Sequence, residues 1–118
     1  MEEDMFINYS NHPSEKWEQR QREEAEKYGE IKDMPFPNIG EEWSKERVIK
    51  LAEQEVKKIE KEKPDCVLCQ GEMTFTYALV NELKKIGIKT VSATSRREVI
   101  EDNGVKISKF QFCRFREY

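Results

Sequence analysis

The chain has 118 residues, enough for one domain with a real core. Charged residues make up 38% and the net charge is -3, which argues against the basic surface that long nucleic acid favours but leaves room for a small anionic ligand. No apolar run approaches the ~20 residues needed to cross a bilayer, and the start Met1-Glu2-Glu3-Asp4 is acidic where secretion signals are basic, so a single cytoplasmic domain over residues 1–118 is expected.

Taken in order, Met5-Phe6-Ile7 opens a first strand over residues 5–9. A polar turn, Ser10-Asn11-His12-Pro13-Ser14, follows, with Pro13 suited to the first turn of a helix. Helix one is expected over 13–28 and ends at Gly29. Its apolar content is Trp17, Ala25 and Tyr28, so Trp17 is either core or pocket wall. Strand two covers 31–36, then the stiff loop Pro35-Phe36-Pro37-Asn38. Val48, Leu51, Ala52, Val56 and Ile59 recur at helical spacing and predict helix two over 41–62. Strand three is the apolar run 66–70, of the kind found in central parallel strands. Helix three spans 74–86, and Gly87 ends it. Strand four covers 88–93. Val99-Ile100, an Asn103-Gly104 turn and residues 105–115 then read as a separate β-hairpin, with Phe110, Phe112 and Arg114 on one face and Gln111, Cys113 and Phe115 on the other.

This alternation implies an α/β fold: an open parallel sheet of the three-layer Rossmann-like type, strand order about 2-1-3-4, with the C-terminal antiparallel hairpin at its edge. Cys66 and Cys69 form a C-x-x-C, but residues three apart on a strand face opposite ways. A redox motif would open a helix, and no second C-x-x-C or histidine pair completes a zinc site, so both cysteines read as small buried hydrophobes.

In such a sheet, ligands bind at the carboxyl ends of the strands, around the switch point between strands one and three. The loops there carry Ser10, Asn11, His12 and Ser14; Asn38; Gly71, Glu72, Thr74 and Phe75; and Thr94, Ser95, Arg96 and Arg97. Each residue has an ordinary role as well: Ser, Asn and Thr cap helices, Phe75 suits a core, and the arginines suit a solvated strand end. Together they suit a phosphate-bearing ligand. Gly71 admits close backbone approach, helix N-termini offer free N–H groups, and Arg96 and Arg97 match phosphate geometry. Trp17, Phe36 and Phe75 are candidates to stack on a base. Neither G-x-G-x-x-G nor a P-loop occurs, and no acidic cluster suits Mg²⁺, so no cofactor or metal is expected.

Three stretches, Asn8-Tyr9-Ser10-Asn11-His12-Pro13, Gly71-Glu72-Met73-Thr74-Phe75-Thr76 and Phe112-Cys113-Arg114-Phe115-Arg116-Glu117-Tyr118, resemble the small CRISPR-associated proteins of type III systems in the ring-nuclease group, related to CARF domains. The resemblance spans nearly the whole chain. It implies a Rossmann-like homodimer that binds cyclic oligoadenylate across its two-fold axis and cleaves it without a metal, silencing an antiviral signal.

The chemistry expected of such an enzyme matches the residues. When a ribose 2′-OH attacks the adjacent phosphate, the substrate supplies the nucleophile, and the protein orients it and stabilises charge. His12, the chain's one imidazole, is the candidate proton donor or acceptor. Ser10 and Asn11 are candidates to hold phosphate oxygens, and Glu72 is the weaker base candidate, its ordinary role being to stabilise a helix start. The alternative is a module that senses or sequesters a cyclic nucleotide without cleaving it, favoured by the lack of a second evident acid–base partner.

Overall fold

The computed structural model describes residues 4–118; Met1, Glu2 and Glu3 of the acidic start lie outside the described residues. Five strands form one mixed, open, curled sheet: β1 (Met5–Ser10), β2 (Glu30–Asp33), β3 (Cys66–Gln70), β4 (Thr90–Asp102) and β5 (Val105–Glu117). Their order is β2-β1-β3-β4-β5. The first four are parallel neighbours and β5 runs antiparallel to β4, as the pattern predicts.

Alternation along the strands divides two cores. Phe6, Cys66, Leu68 and Val91 turn to one face, where Trp17 and Ala25 of the α1 (Gln19–Glu26) side cover them. Ile7, Tyr9, Val67 and Cys69 turn to the other, under α2 (Lys45–Glu62) and α3 (Met73–Lys85). Cys66 and Cys69 therefore belong to different cores, as their spacing requires. Across the second core the buried Tyr9 hydroxyl donates to Glu55 Oε1 at 2.8 Å, tying β1 to α2.

Three elements ahead of the C-terminal edge differ from the sequence reading by more than two residues. The expected helix over 13–28 is broken: a 3-10 turn, Ser14–Lys16, is followed by extended backbone at Trp17 and Glu18 before α1 begins. That break lets the Trp17 ring turn inward, where it is 6% exposed. Strand β2 stops at Asp33 and so ends short of Pro35, which has no N–H for the ladder. Helix α2 starts at Lys45, because the Ser44 side chain caps it by accepting from the Arg47 N–H at 3.2 Å.

The largest difference lies at the C-terminal edge. Residues 94–97 are not a loop. Strand four and the first strand of the expected hairpin are one strand, β4, paired to β5 from Val91↔Glu117 to Asp102↔Val105. Strand β3 accompanies β4 only at Thr90 and Val91, so the rest of β4–β5 overhangs as a two-stranded arm. Its turn is Asn103-Gly104, both at positive φ, as the dipeptide predicts. A register shift at Thr94/Ser95 adds one residue to β5. This bulge resets the alternation: Phe112 and Phe115 touch, with ring centroids 5.0 Å apart, instead of facing opposite ways as expected.

Burial favours the neutral thiol and pushes both Cys66 and Cys69 up to about 12. Thiolate is then scarce at these two positions at about pH 8, while half-buried Cys113 remains reachable. Iodoacetamide is expected to label Cys113 first in the folded protein and the other two only in denaturant, a difference that intact-mass spectrometry reads directly.

Candidate functional site

The turn that leaves β1 is held by the side chain of Asn8, which is 1% exposed. Its Nδ2 donates to the His12 carbonyl at 2.9 Å and to Asp33 Oδ1 at 3.0 Å. Its Oδ1 accepts from Ser10 Oγ at 2.6 Å. Every polar atom of this carboxamide is used, as burial demands. Asp33, its register partner on β2, also receives the Ser14 N–H at 3.2 Å. The Trp17 indole donates to the same His12 carbonyl at 3.0 Å, and the His12 N–H donates to Ser10 Oγ at 3.3 Å. Arg22 reaches back from α1 to the Ser14 carbonyl at 2.8 Å.

The result is a clamped backbone with a free side chain. His12 is anchored through its own N–H and C=O, while its imidazole is exposed and engages no hydrogen-bond partner among the described residues. Beside it opens a cleft of about 700 Å³, within the range of ligand sites. The β1 turn supplies Ser10, Asn11 and His12, and Trp17 forms one wall. Gln70 and Gly71 come from the end of β3, while Thr94, Ser95, Phe110 and Phe112 come from the arm. Lys16 and Glu18 stand at the edge.

Seven of the residues predicted for a site share this cleft: Ser10, Asn11, His12, Trp17, Gly71, Thr94 and Ser95. Ser14 and Arg97 are on the same side of the sheet without lining the cleft, and the rest are divided from it by the sheet. Connections that lead to α1 stay on its face, and those that lead to α2 and α3 go to the opposite face. Phe75 is fully buried between Tyr9 and Phe36, so it is core and not a stacking platform. Asn38 is exposed outside the cleft, and Thr74 borders a groove between α2 and α3. Ser14 is taken up by its contacts to Asp33 and Arg22.

Glu72 caps α3. It accepts from the Phe75 N–H at 2.7 Å and from Thr74 Oγ1 at 2.7 Å, and the first of these above all holds its carboxyl below the usual carboxylate range. A carboxylate so occupied is a poor base, and it does not line the cleft. Gly71 has a reason of its own: an added Cβ would lie 2.3 Å from the Phe36 ring, so glycine here serves packing under the turn. Arg96 and Arg97 are consecutive on β4 and face opposite ways. Arg97 is directly opposed to Phe110 and lies on the cleft side, whereas Arg96 turns away.

Sequence reasoning missed Asn8, Asp33 and Gln70. A carboxamide inside the apolar run Met5-Phe6-Ile7-Asn8-Tyr9 is a legible signal, since a buried polar group needs partners. Gln70 takes over where β3 stops: its Oε1 accepts from the Ala93 N–H at 2.9 Å and ties the root of the arm to the end of β3.

The chain belongs to the family described as uncharacterized protein MJ1673 family, which it matches over residues 4–116. No curated protein and no solved structure matches it.

Asn8→Ala removes two donors and one acceptor from a buried network, and it is expected to cost about 1–3 kcal/mol, the penalty of leaving buried partners unsatisfied. Ser10→Ala should cost less, since Ser10 is only half-buried. Urea unfolding followed by circular dichroism measures both.

Proposed function

We propose that the protein is a ring nuclease: it binds cyclic oligoadenylate in the Asn11–His12 cleft and cleaves it by attack of a ribose 2′-OH on the adjacent phosphate, acting in the cytoplasm as part of CRISPR-type antiviral defence. The observation that carries the reading is His12, with its backbone clamped by Asn8, Ser10 and Trp17 and its ring free at the cleft rim. An imidazole on a fixed backbone with its ring nitrogens unengaged is within reach of a bound ligand to give or take a proton. The likeness to small type III CRISPR-associated proteins across the β1 turn, the β3–α3 turn and the C-terminal strand supplies the ligand class.

In the proposed step the 2′-oxygen bonds to phosphorus, and the 2′ proton passes to water. The bond from phosphorus to the 5′-oxygen breaks, and that oxygen takes a proton from the His12 imidazolium. The product is a linear chain ending in a 2′,3′-cyclic phosphate. Because the nucleophile belongs to the substrate, the step needs no metal-activated water. The Asn11 side chain and Lys16 stand where they would hold phosphate oxygens. Ser10, committed to Asn8 and to the His12 N–H, acts as a positioning residue.

The parallel run β2-β1-β3-β4 with helices on both faces supports describing the fold as Rossmann-like and CARF-like. A two-fold symmetric ligand asks for a symmetric protein, and we propose a homodimer. The arm bears exposed Ile100, Val105 and Ile107 on its side away from the cleft, an apolar surface that a second copy would cover. One observation favours the second reading, a sensor that binds without cleaving: no side chain among the described residues orients the imidazole.

His12→Ala is expected to slow single-turnover cleavage of cyclic tetra-adenylate by about 10²–10⁴-fold while leaving affinity nearly unchanged, since general acid catalysis acts in the transition state. Wild-type cleavage should persist in EDTA. Tight binding with intact rings after long incubation would instead establish the sensor. Light scattering at micromolar concentration should report a dimer, and a monomer with and without ligand would count against the symmetric arrangement.

A further inference from the structure

We propose that the cleft-facing side of the β4–β5 arm is a second recognition surface, on which Phe110 stacks one nucleobase and Arg97 holds the phosphate next to it. The inference rests on the reading of the cleft as a nucleotide site and extends that site to residues outside the β1 turn.

The three phenylalanines of β5 are in different situations. Phe112 is 6% exposed, and Phe115 packs on Phe6, Trp17 and Phe112. Their rings are consumed by the core beside α1. Phe110 is 65% exposed, has no ring partner among the described residues, and still lines the cleft with Trp17 and Ser95. Hydrophobic burial does not explain it, because nothing among the described residues covers it.

Its neighbour points to the ligand chemistry. Arg97 lies directly across the ladder from Phe110, and directly opposed residues of an antiparallel pair share a face. The Arg97 Nε and Nη2 both donate to Ser108 Oγ, at 3.3 and 3.1 Å. Ser108 is on the same side, two residues from Phe110 toward the Asn103-Gly104 turn, so its bond holds the guanidinium on the face that carries the ring. The Arg97 Nη1 atom has no partner among the described residues and is available to an anion. A guanidinium on the same face as an open aromatic ring is the pairing that single-stranded nucleotides use: phosphate on the cation, base on the ring.

The bulge puts this pair where it can work. With one extra residue in β5 between Phe112 and Phe115, Phe110, Phe112 and Phe115 all turn toward the α1 side. Without it, Phe110 and Phe112 would turn away from the β1 turn, while Arg97, on the unbulged β4, would keep its side, so the bulge is what brings ring and guanidinium to one face. A ligand phosphate seated at Asn11 and His12 thus has its neighbouring nucleotide directed along the arm. A mononucleotide reaches only the first position; a chain or ring of nucleotides reaches both.

The test measures binding of AMP, cyclic tetra-adenylate and linear tri-adenylate to the wild type and to Phe110→Ala, Phe110→Trp, Arg97→Ala and Arg96→Ala. Phe110 and both arginines are exposed, and thermal unfolding checks that each variant folds. Phe110→Ala should weaken the ring and the trinucleotide by about 5- to 150-fold, the range for losing one base–aromatic stack. It should leave AMP unchanged, and Phe110→Trp should restore binding. Arg97→Ala should weaken the same two ligands and reduce their salt dependence, while Arg96→Ala should not. Equal affinities of Phe110→Ala and wild type for the ring would overturn the arm surface while leaving the cleft reading intact. A wild type that binds the linear chain through Phe110 but not the ring would uphold the surface and overturn the ring-nuclease reading. Binding of none of the three ligands would overturn both. Loss of a dimer with unchanged ligand affinity would assign Phe110 to subunit contact and also overturn the proposal.

Discussion

The site depends on one side chain, the carboxamide of Asn8. It sits in the middle of a strand that is otherwise apolar, and it joins β1, β2 and the turn in a single buried network. An apolar residue there would suit the core and leave the His12 carbonyl and the Asp33 carboxylate short of a donor. Asparagine is the residue that donates twice and accepts once from one planar group. The turn is thereby held by its backbone, which leaves the His12 ring uncommitted. The cost of burying an amide is offset by complete satisfaction, and what it secures is the geometry of a loop.

The sheet acts as a wall. Four strand ends open at one edge, which invites the view that all their loops meet. The loops instead follow the helices they lead into, and the sheet separates them into two groups. The β1 turn, the end of β3 and the arm meet on the α1 side. The start of α3, Phe36 and Phe75 pack with α2 on the other side. Glu72 and Phe75 therefore serve the helix cap and the core, although they follow a strand end as closely as His12 does.

The arm obeys different physics from the body. A two-stranded ribbon has no third strand to bury its faces and is weakly stable alone. Gln70 at its root, the contact of Glu18 with the Phe112 N–H at 3.2 Å, and the aromatic packing of Phe112 and Phe115 anchor it to the sheet. Beyond them the apolar residues stay uncovered on both sides. An exposed apolar surface of this kind marks a place where something else meets the chain, and the two sides differ: Arg97, Val99 and Phe110 toward the cleft, Ile100, Val105 and Ile107 away from it.

Much of this was legible in the residues. The apolar run at Cys66–Gln70, the helical spacing of Val48 to Ile59, the Asn103-Gly104 turn and the glycines after helices are local signals, and local physics decides them. Strand order followed from right-handed connections between alternating elements. The division of cysteines between faces followed from a period of two. What the sequence alone did not decide was whatever depends on a partner distant in the chain. Residues 94–97 read as a loop because no apolar pattern marks them, and only pairing with β5 makes them strand. The bulge at Thr94/Ser95, invisible in a single strand's alternation, decides which phenylalanines face the cleft. Local chemistry determined that the turn after β1 would be polar and carry the chain's one histidine. Contacts across the fold, from Asp33, Trp17 and the arm, decided that this histidine stands free at the edge of a cleft, because the position of a side chain is fixed by neighbours the chain meets only after it has folded.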